Sequence, residues 1–291
     1  MRRVGIFYAF WTHEWDVDFL PFVAKVAGLG FEQLELNGGT IALMEERERR
    51  AIANAARERG LALSYGIGLP AARDPSSLDE TVRKEGVRFM RSMIDAVSSM
   101  GGGMIGGTIH STWPAKAPRD LAEKAAIRER SLLSMRELAP YAEDSGVVLN
   151  IEVLNRFEHF LFNVADEAIQ FVREVGSPAL GILLDTFHMN IEEDSFGDAI
   201  RKTGPHLKAL HLGETNRRPP GQGRMPWKEI RAALDDIGFD GPLVMEPFLM
   251  PGGQVGRDIA VWHELSPGAD DAALDAMAAE SAAFVKRTLR D

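Results

Sequence analysis

The sequence predicts a single (β/α)8 barrel, and three features predict it. Short apolar runs alternate with longer segments of helical period, and the pair occurs eight times in 291 residues. The pairs recur about every 30 residues, the spacing of one strand, one helix and their connections. No low-complexity linker divides the chain, so one domain spans residues 1–291 and ends in a C-terminal helix.

The runs in order are VGIFYAFW from Val4, FEQLELN from Phe31, LALSYGIG from Leu61, MIGGTIH from Met104, VVLNIEVLN from Val147, LGILLDTFH from Leu180, LKALHLGE from Leu207 and PLVMEPF from Pro242. Between them lie helical stretches such as FVAKVAGLG, EERERRAIANAARERG and ERSLLSMRELAPYAEDSG, several closed by a glycine suited to a helix C-terminus. DDAALDAMAAESAAFVKRTLR follows the eighth run as the terminal helix. A doubly wound open sheet is the competing α/β arrangement, but no Gly-x-Gly-x-x-Gly turn follows the first run. GGG at 101–103 reads as a helix-to-strand turn rather than a phosphate cradle.

Composition narrows the function classes. The chain has 45% hydrophobic and 26% charged residues, an ordinary globular balance. With 43 acidic against 33 basic residues the net charge is −10, which repels nucleic acid and anionic membranes. RERR at 47–50 is interleaved with Glu45, Glu46 and Glu48 and reads as a solvated helix face. There is no cysteine, which excludes disulfides and thiolate chemistry and fits a reducing, cytoplasmic setting. The apolar N-terminal run is cut at Thr12, His13 and Glu14, short of a signal peptide, and no run approaches the ~20 residues of a membrane span.

Side-chain parity then singles out a site. In a parallel barrel alternate residues face the helices and are apolar, while the others face the axis. In VLNIEV, Leu149, Ile151 and Val153 face out, which turns Asn150 and Glu152 in. The same alternation turns Leu183 and Asp185 in, then Ala209 and His211, then Val244, Glu246 and Phe248. Four consecutive strands therefore each place one polar group on the axis, late in the strand. Three carboxylates and an imidazole gathered at a dry barrel mouth cost several kcal/mol unless a cation is shared among them. Oxygen-rich ligands with one His suit Mn2+, Mg2+ or Co2+ over a structural zinc; the expectation is one divalent ion per subunit, Mn2+ ahead of Co2+ or Mg2+.

Taken singly, an inward acid is as readily part of a structural ion pair, and Glu35 on the second strand stays open between that and support of the site. Glu158, His188 and Arg217 lie just past strands five, six and seven, on the side where barrel active sites form, and are candidate holders of a polar substrate.

IEVLNRFE, LDTFHMNIEEDSF, HLGETNR, GRMPW and VMEPF, together with GIFYAFWTHEW and VWHELSPGAD, resemble the D-tagatose 3-epimerase and D-psicose (D-allulose) 3-epimerase family of ketose 3-epimerases, within the xylose-isomerase-like barrels. The resemblance covers essentially the whole chain. It implies that Glu152, Asp185, His211 and Glu246 hold the metal, that Glu152 and Glu246 are catalytic, and that Glu158, His188 and Arg217 contact the sugar near its reacting end. It also implies that Phe7, Trp15, Gly107, Trp113 and Phe248 line the sugar site. The substrates it implies are free ketoses such as D-tagatose/D-sorbose, D-fructose/D-psicose and L-ribulose/L-xylulose, handled by a homo-oligomer, dimer or tetramer. Phe7, where the family varies between Phe and Tyr, and Gly66, where relatives can carry a larger residue, bear on the far end of the sugar.

The chemistry follows from the residue types. Inverting C3 of a ketose removes the proton beside the C2 carbonyl, passes through an enediolate and returns a proton to the opposite face. A cation at O2 and O3 stabilises the developing charge, and two carboxylates, one per face, alternate as base and acid. Strands five and eight stand three steps apart, roughly 135° around an eight-strand barrel. An aldose–ketose isomerase on the same barrel and metal is the alternative; an endonuclease would need a basic groove and more than a thin spread of seven histidines. A binding-only sugar protein would have no use for paired acids on a metal.

Overall fold

The computed structural model describes residues 1–290. Eight parallel strands close a barrel in sequence order: β1 Val4–Phe7, β2 Gln33–Asn37, β3 Ala62–Gly68, β4 Gly103–Thr108, β5 Val147–Glu152, β6 Leu180–Asp185, β7 Leu207–Leu212 and β8 Leu243–Met245. β8 pairs back onto β1 through Val4↔Leu243 and Ile6↔Met245. Among the described residues no sheet edge remains unpaired, which a doubly wound sheet cannot achieve.

Parity holds across the registers. Leu149, Ile151, Ile182, Leu184, Leu210, Leu212, Leu243 and Met245 are all buried. Each buried aliphatic of this kind contributes roughly 1.5–3 kcal/mol relative to exposure. The helices follow their sequence signals: Leu20–Gly28, Glu46–Glu58 and Leu121–Asp144 are each followed within two residues by a glycine of positive φ, at Gly30, Gly60 and Gly146. The last of them tolerates an internal proline, Pro140. Gly101, Gly102 and Gly103 all have positive φ and turn the helix Glu80–Ser99 into β4, as expected. Glu46, Arg47, Glu48 and Arg50 are exposed on their helix, the solvated face predicted.

Three expectations need correcting. The first run is strand only to Phe7; Tyr8–Trp11 coils into a 3-10 turn whose Tyr8 and Phe10 are buried, and Tyr8 Oη donates to the Trp15 carbonyl at 2.6 Å. Glu246 lies one residue beyond β8, although its amide still donates to the Leu212 carbonyl at 3.0 Å and continues the ladder direction. His188 is not in a loop. A helix, Thr186–Glu192, starts directly after β6 because Oδ1 of Asp185 accepts from the Phe187 amide at 2.8 Å and caps it.

Candidate active site

The registers explain why four polar groups meet. Asp185 pairs with His211, His211 with Val244, and Glu152 with Leu183, so Glu152, Asp185, His211 and Glu246 share the axial parity of β5 to β8. Their ligating atoms all lie within 4.8 Å of one another. Nδ1 of His211 is 3.6 Å from Oε1 of both Glu152 and Glu246, and no hydrogen bond satisfies it.

The other imidazole nitrogen faces β2. Nε2 of His211 lies 2.9 Å from Oε1 of Glu35, whose Oε2 accepts from Ser64 Oγ at 2.8 Å; Gln33 Nε2 in turn donates to Ser64 at 2.8 Å. Glu35 is thus an outer partner of the imidazole, and the question the sequence left open is answered by the register Glu35↔Ser64. The contact is an ion pair rather than an aligned hydrogen bond, and it holds the ring with Nδ1 turned toward Glu152 and Glu246.

The strand that ends in Asp185 does so to set two groups at once. Three residues into the helix that Asp185 caps, His188 comes round to the same side, and its Nε2 is 3.6 Å from Oδ2 of Asp185 and 4.0 Å from Oε1 of Glu152. Nδ1 of His188 faces two donors, Asn155 Nδ2 at 2.7 Å and the Asn155 amide at 3.3 Å. Nδ1 therefore accepts from Asn155, while Nε2 points into the cleft. Asn155 Nδ2 also donates to Oε1 of Glu158 at 3.0 Å, while Oε2 of Glu158 accepts from the Trp113 indole at 3.1 Å.

Arg217 sits closer to the metal-ligand candidates than its sequence position suggested. Its Nη1 donates to Oδ2 of Asp185 and to Oε2 of Glu246, both at 2.9 Å, and its Nη2 is 3.3 Å from Nε2 of His188. The guanidinium stacks 4.0 Å from the Phe187 ring centroid and 5.4 Å from that of Phe248. Its backbone has φ 63°, the left-handed region that a side chain other than glycine rarely adopts.

The electrostatics call for a cation. Burial pushes the Glu152 carboxyl up to about 7, against the pull of His211, and burial likewise raises Asp185 despite Arg217. Burial also works to raise Glu246, but the charges on His211 and Arg217 outweigh it and hold Glu246 low. For His188, burial and then Arg217 hold the ring neutral, whereas His211 is driven toward the protonated form by Glu35 and Glu246 in spite of burial. Five carboxylates, those of Glu35, Glu152, Glu158, Asp185 and Glu246, thus face one guanidinium and two imidazoles. The cluster has a surplus of negative charge and an orphaned imidazole nitrogen at its centre, which is the donor set a hard divalent cation takes.

Above the cluster opens a cavity of about 350 Å3, lined by Phe7, Trp15, Gly107, Trp113, Glu158, His188, Arg217 and Phe248 among others. Glu152, His211 and Glu246 reach the same cavity, and Asp185 lies buried behind them against His211. The volume lies at the lower end of small-molecule sites, room for a small ligand and not for a polymer. Phe7, Trp15 and Phe248 pack mutually, with ring centroids 6.2 to 6.3 Å apart. Gly107 has φ 109°, and a Cβ there would sit 2.1 Å from the Ile67 carbonyl oxygen, so no other residue fits.

Sequence reasoning missed Asn155, which orients both His188 and Glu158, and Asp258, which accepts from the Trp15 indole at 2.9 Å and lines the cavity. Asn155 falls three residues past Glu152 and was readable within NRFE; Asp258 comes from a short helix, Gly253–Asp258, with no periodic signal.

Residues 23–277 match the family model described as xylose isomerase-like TIM barrel. The chain is 44% identical over 285 residues to a D-psicose 3-epimerase of Agrobacterium fabrum, covering 98% of each chain. It is 31% identical over 273 residues to a ketose 3-epimerase of Arthrobacter globiformis, covering 90% of each. A crystal structure of D-psicose 3-epimerase with D-tagatose from Clostridium cellulolyticum H10 superposes with a TM-score of 0.97 at 41% identity, covering 99% of this chain and 100% of that one.

Proposed function

The chain belongs to the D-psicose/D-tagatose 3-epimerase family of the xylose isomerase-like TIM barrels, and from that premise we propose that it inverts C3 of free ketoses by a two-carboxylate, metal-dependent mechanism. The observation that carries this reading is that Glu152 and Glu246, from strands three steps apart, each approach the same nitrogen of His211 at 3.6 Å. A ketose held in the cleft presents one face of C3 to each carboxylate. One removes the C3 proton while the other delivers a proton to the opposite face, and the roles exchange in the reverse direction.

Glu152, Asp185, His211 and Glu246 would hold a divalent cation, which would supply Lewis-acid polarisation and offset developing negative charge. The oxygen-rich ligand set supports Mn2+, ahead of Co2+ and Mg2+. The Arg217 guanidinium and the His188 imidazole, with Nη2 and Nε2 3.3 Å apart at the mouth of the cleft, hold the oxygen on which charge develops. Glu158 holds a hydroxyl beside the reacting end, with Trp113 and Asn155 fixing its two oxygens. Phe7, Trp15, Gly107, Trp113 and Phe248 enclose the remaining carbons and exclude water.

The preferred ketose lies among the D-tagatose/D-sorbose, D-fructose/D-psicose and L-ribulose/L-xylulose pairs. Chromatographic product analysis over that panel, with each metal in turn, tests the reading. Products inverted at C3 support it; aldose products alone would favour aldose–ketose isomerisation on the same carboxylates. We further expect a cytoplasmic homo-oligomer, dimer or tetramer, which light scattering of the purified protein decides.

A further inference from the structure

Glu214 is 0% exposed and carries a carboxylate that no cation pairs with among the described residues. Its partners are all N–H groups from the far side of its own loop. Oε1 accepts from the Gly221 amide at 2.8 Å and from the Trp227 indole at 3.1 Å, and Oε2 accepts from the Met225 amide at 3.1 Å. The chain passes so close at Gly223 that a Cβ there would lie 2.3 Å from Oε2.

This carboxylate closes the loop that carries Arg217. The loop leaves β7 at Leu212 and enters the helix Trp227–Asp236. Within it the Glu214 amide donates to the Arg218 carbonyl at 2.9 Å and the Arg217 amide to the Glu214 carbonyl at 3.0 Å, a tight turn with Arg217 at φ 63°. The Arg217 carbonyl then accepts from the Phe248 amide at 2.9 Å, and the guanidinium reaches Asp185 and Glu246. A left-handed conformation at a residue other than glycine persists only where its surroundings over-determine it. Three hydrogen bonds to one buried anion provide that constraint, since charge-assisted bonds are about twice as strong as neutral ones.

We propose that Glu214 is a positioning residue of the active site, acting through Arg217: it holds the β7 loop so that the guanidinium spans Asp185 and Glu246. The proposal rests on the ketose 3-epimerase reading for its kinetic test and is independent of it for its metal-binding test. A carboxylate that merely stabilised the loop would lower activity by a factor unrelated to Arg217. One that acts through Arg217 has nothing left to position once that side chain is gone.

The test is a double-mutant cycle on the Mn2+-loaded enzyme with Glu214→Gln, which keeps shape but sets an NH2 group against an N–H donor, and Arg217→Ala. Trp227→Phe removes a single donor and serves as a milder second variant should Glu214→Gln fail to fold. Near-wild-type circular dichroism qualifies each protein. We expect Glu214→Gln to lower kcat/KM about 10- to 100-fold in the parent. On the Arg217→Ala background it changes kcat/KM by less than about twofold. Trp227→Phe follows the same pattern with a smaller loss. Losses that multiply independently of Arg217, or wild-type kcat/KM in the Glu214 variant, overturn the proposal. If the parent protein epimerises no ketose, the functional reading falls, and the cycle is read as the Kd for Mn2+ alone. Shifts of at least about threefold in one direction for both single variants, with no further shift in the double, then sustain Glu214. A wild-type Kd in Glu214→Gln removes it.

Discussion

Oε1 of Glu35 stands 2.9 Å from Nε2 of His211, while the other ring nitrogen faces the carboxylates of Glu152 and Glu246. Outer partners of this kind fix the tautomer and angle of a ligating imidazole, and their loss typically costs about 10- to 100-fold in metal affinity. Glu35→Ala is therefore expected to weaken Mn2+ binding by that factor with the barrel intact, measured by calorimetric titration. An unchanged Kd would return Glu35 to a structural ion pair.

Removal of metal should abolish turnover, and Mn2+ or Co2+ should restore it. An ion that binds only the folded chain should also stabilise it, by about 2.7 kcal/mol at a hundredfold excess over Kd, read as a rise in unfolding temperature. His211→Ala should lose most of both effects. Full activity in protein shown metal-free by elemental analysis contradicts the assignment.

Glu158 and Arg217 should separate in their effects. Glu158 contacts Asn155 and Trp113 and lies 3.8 Å from Arg217 but touches no ligand candidate, so Glu158→Ala should raise KM about tenfold or more while leaving the Kd for Mn2+ unchanged. Arg217 touches Asp185 and Glu246, so Arg217→Ala should shift the Kd for Mn2+ as well as kcat/KM. Equal Kd values for both variants and the parent would show that Arg217 serves the sugar alone.

The parts of this site that were legible in the sequence are those governed by period. Glu152, Asp185, His211 and Glu246 could be found because a residue's face in a strand is set by counting in twos, and four strands obey one count. Glu158, His188 and Arg217 were found only as positions past strand ends, so their contacts were not. His188 owes its place to a helix that begins one residue after Asp185, and helix starts are set by a cap whose carboxylate the sequence had already spent as a ligand. Glu214 left no trace. Its hydrogen bonds reach 7 to 13 residues ahead to backbone and indole donors, a relation with no periodicity in the chain.

A second buried pair should make the fold acid-sensitive independently of the metal. His110 and His159 meet edge to face with ring centroids 5.3 Å apart, and His110 packs on Phe162 at 4.8 Å. Burial holds both rings neutral, His159 down to about 4 from an ordinary 6.5. Depressed histidines stabilise fully above the unfolded pKa and lose that contribution as pH falls toward the folded one. The loss should therefore begin near pH 6.5 and reach roughly 3 kcal/mol for His159 by pH 4. Urea unfolding in chelator, compared with His110→Phe, isolates the effect: the variant's stability should fall less steeply between pH 7 and 5. Parallel profiles would count against it.

The two-base mechanism has its own signature. If Glu152 and Glu246 address opposite faces of C3, Glu152→Gln and Glu246→Gln should each stop net epimerisation, because inversion requires removal at one face and delivery at the other. The remaining carboxylate still faces the C3 proton of one epimer. Each Mn2+-loaded variant should accordingly exchange that proton for deuterium in D2O with one epimer only, and the two variants should choose different epimers. Proton NMR on both members of a ketose pair reads this directly, with metal content measured on the same samples so that loss of the ion is not mistaken for loss of a base. A single variant that still converts one epimer into the other at near the parent rate would show that one mobile base serves both faces.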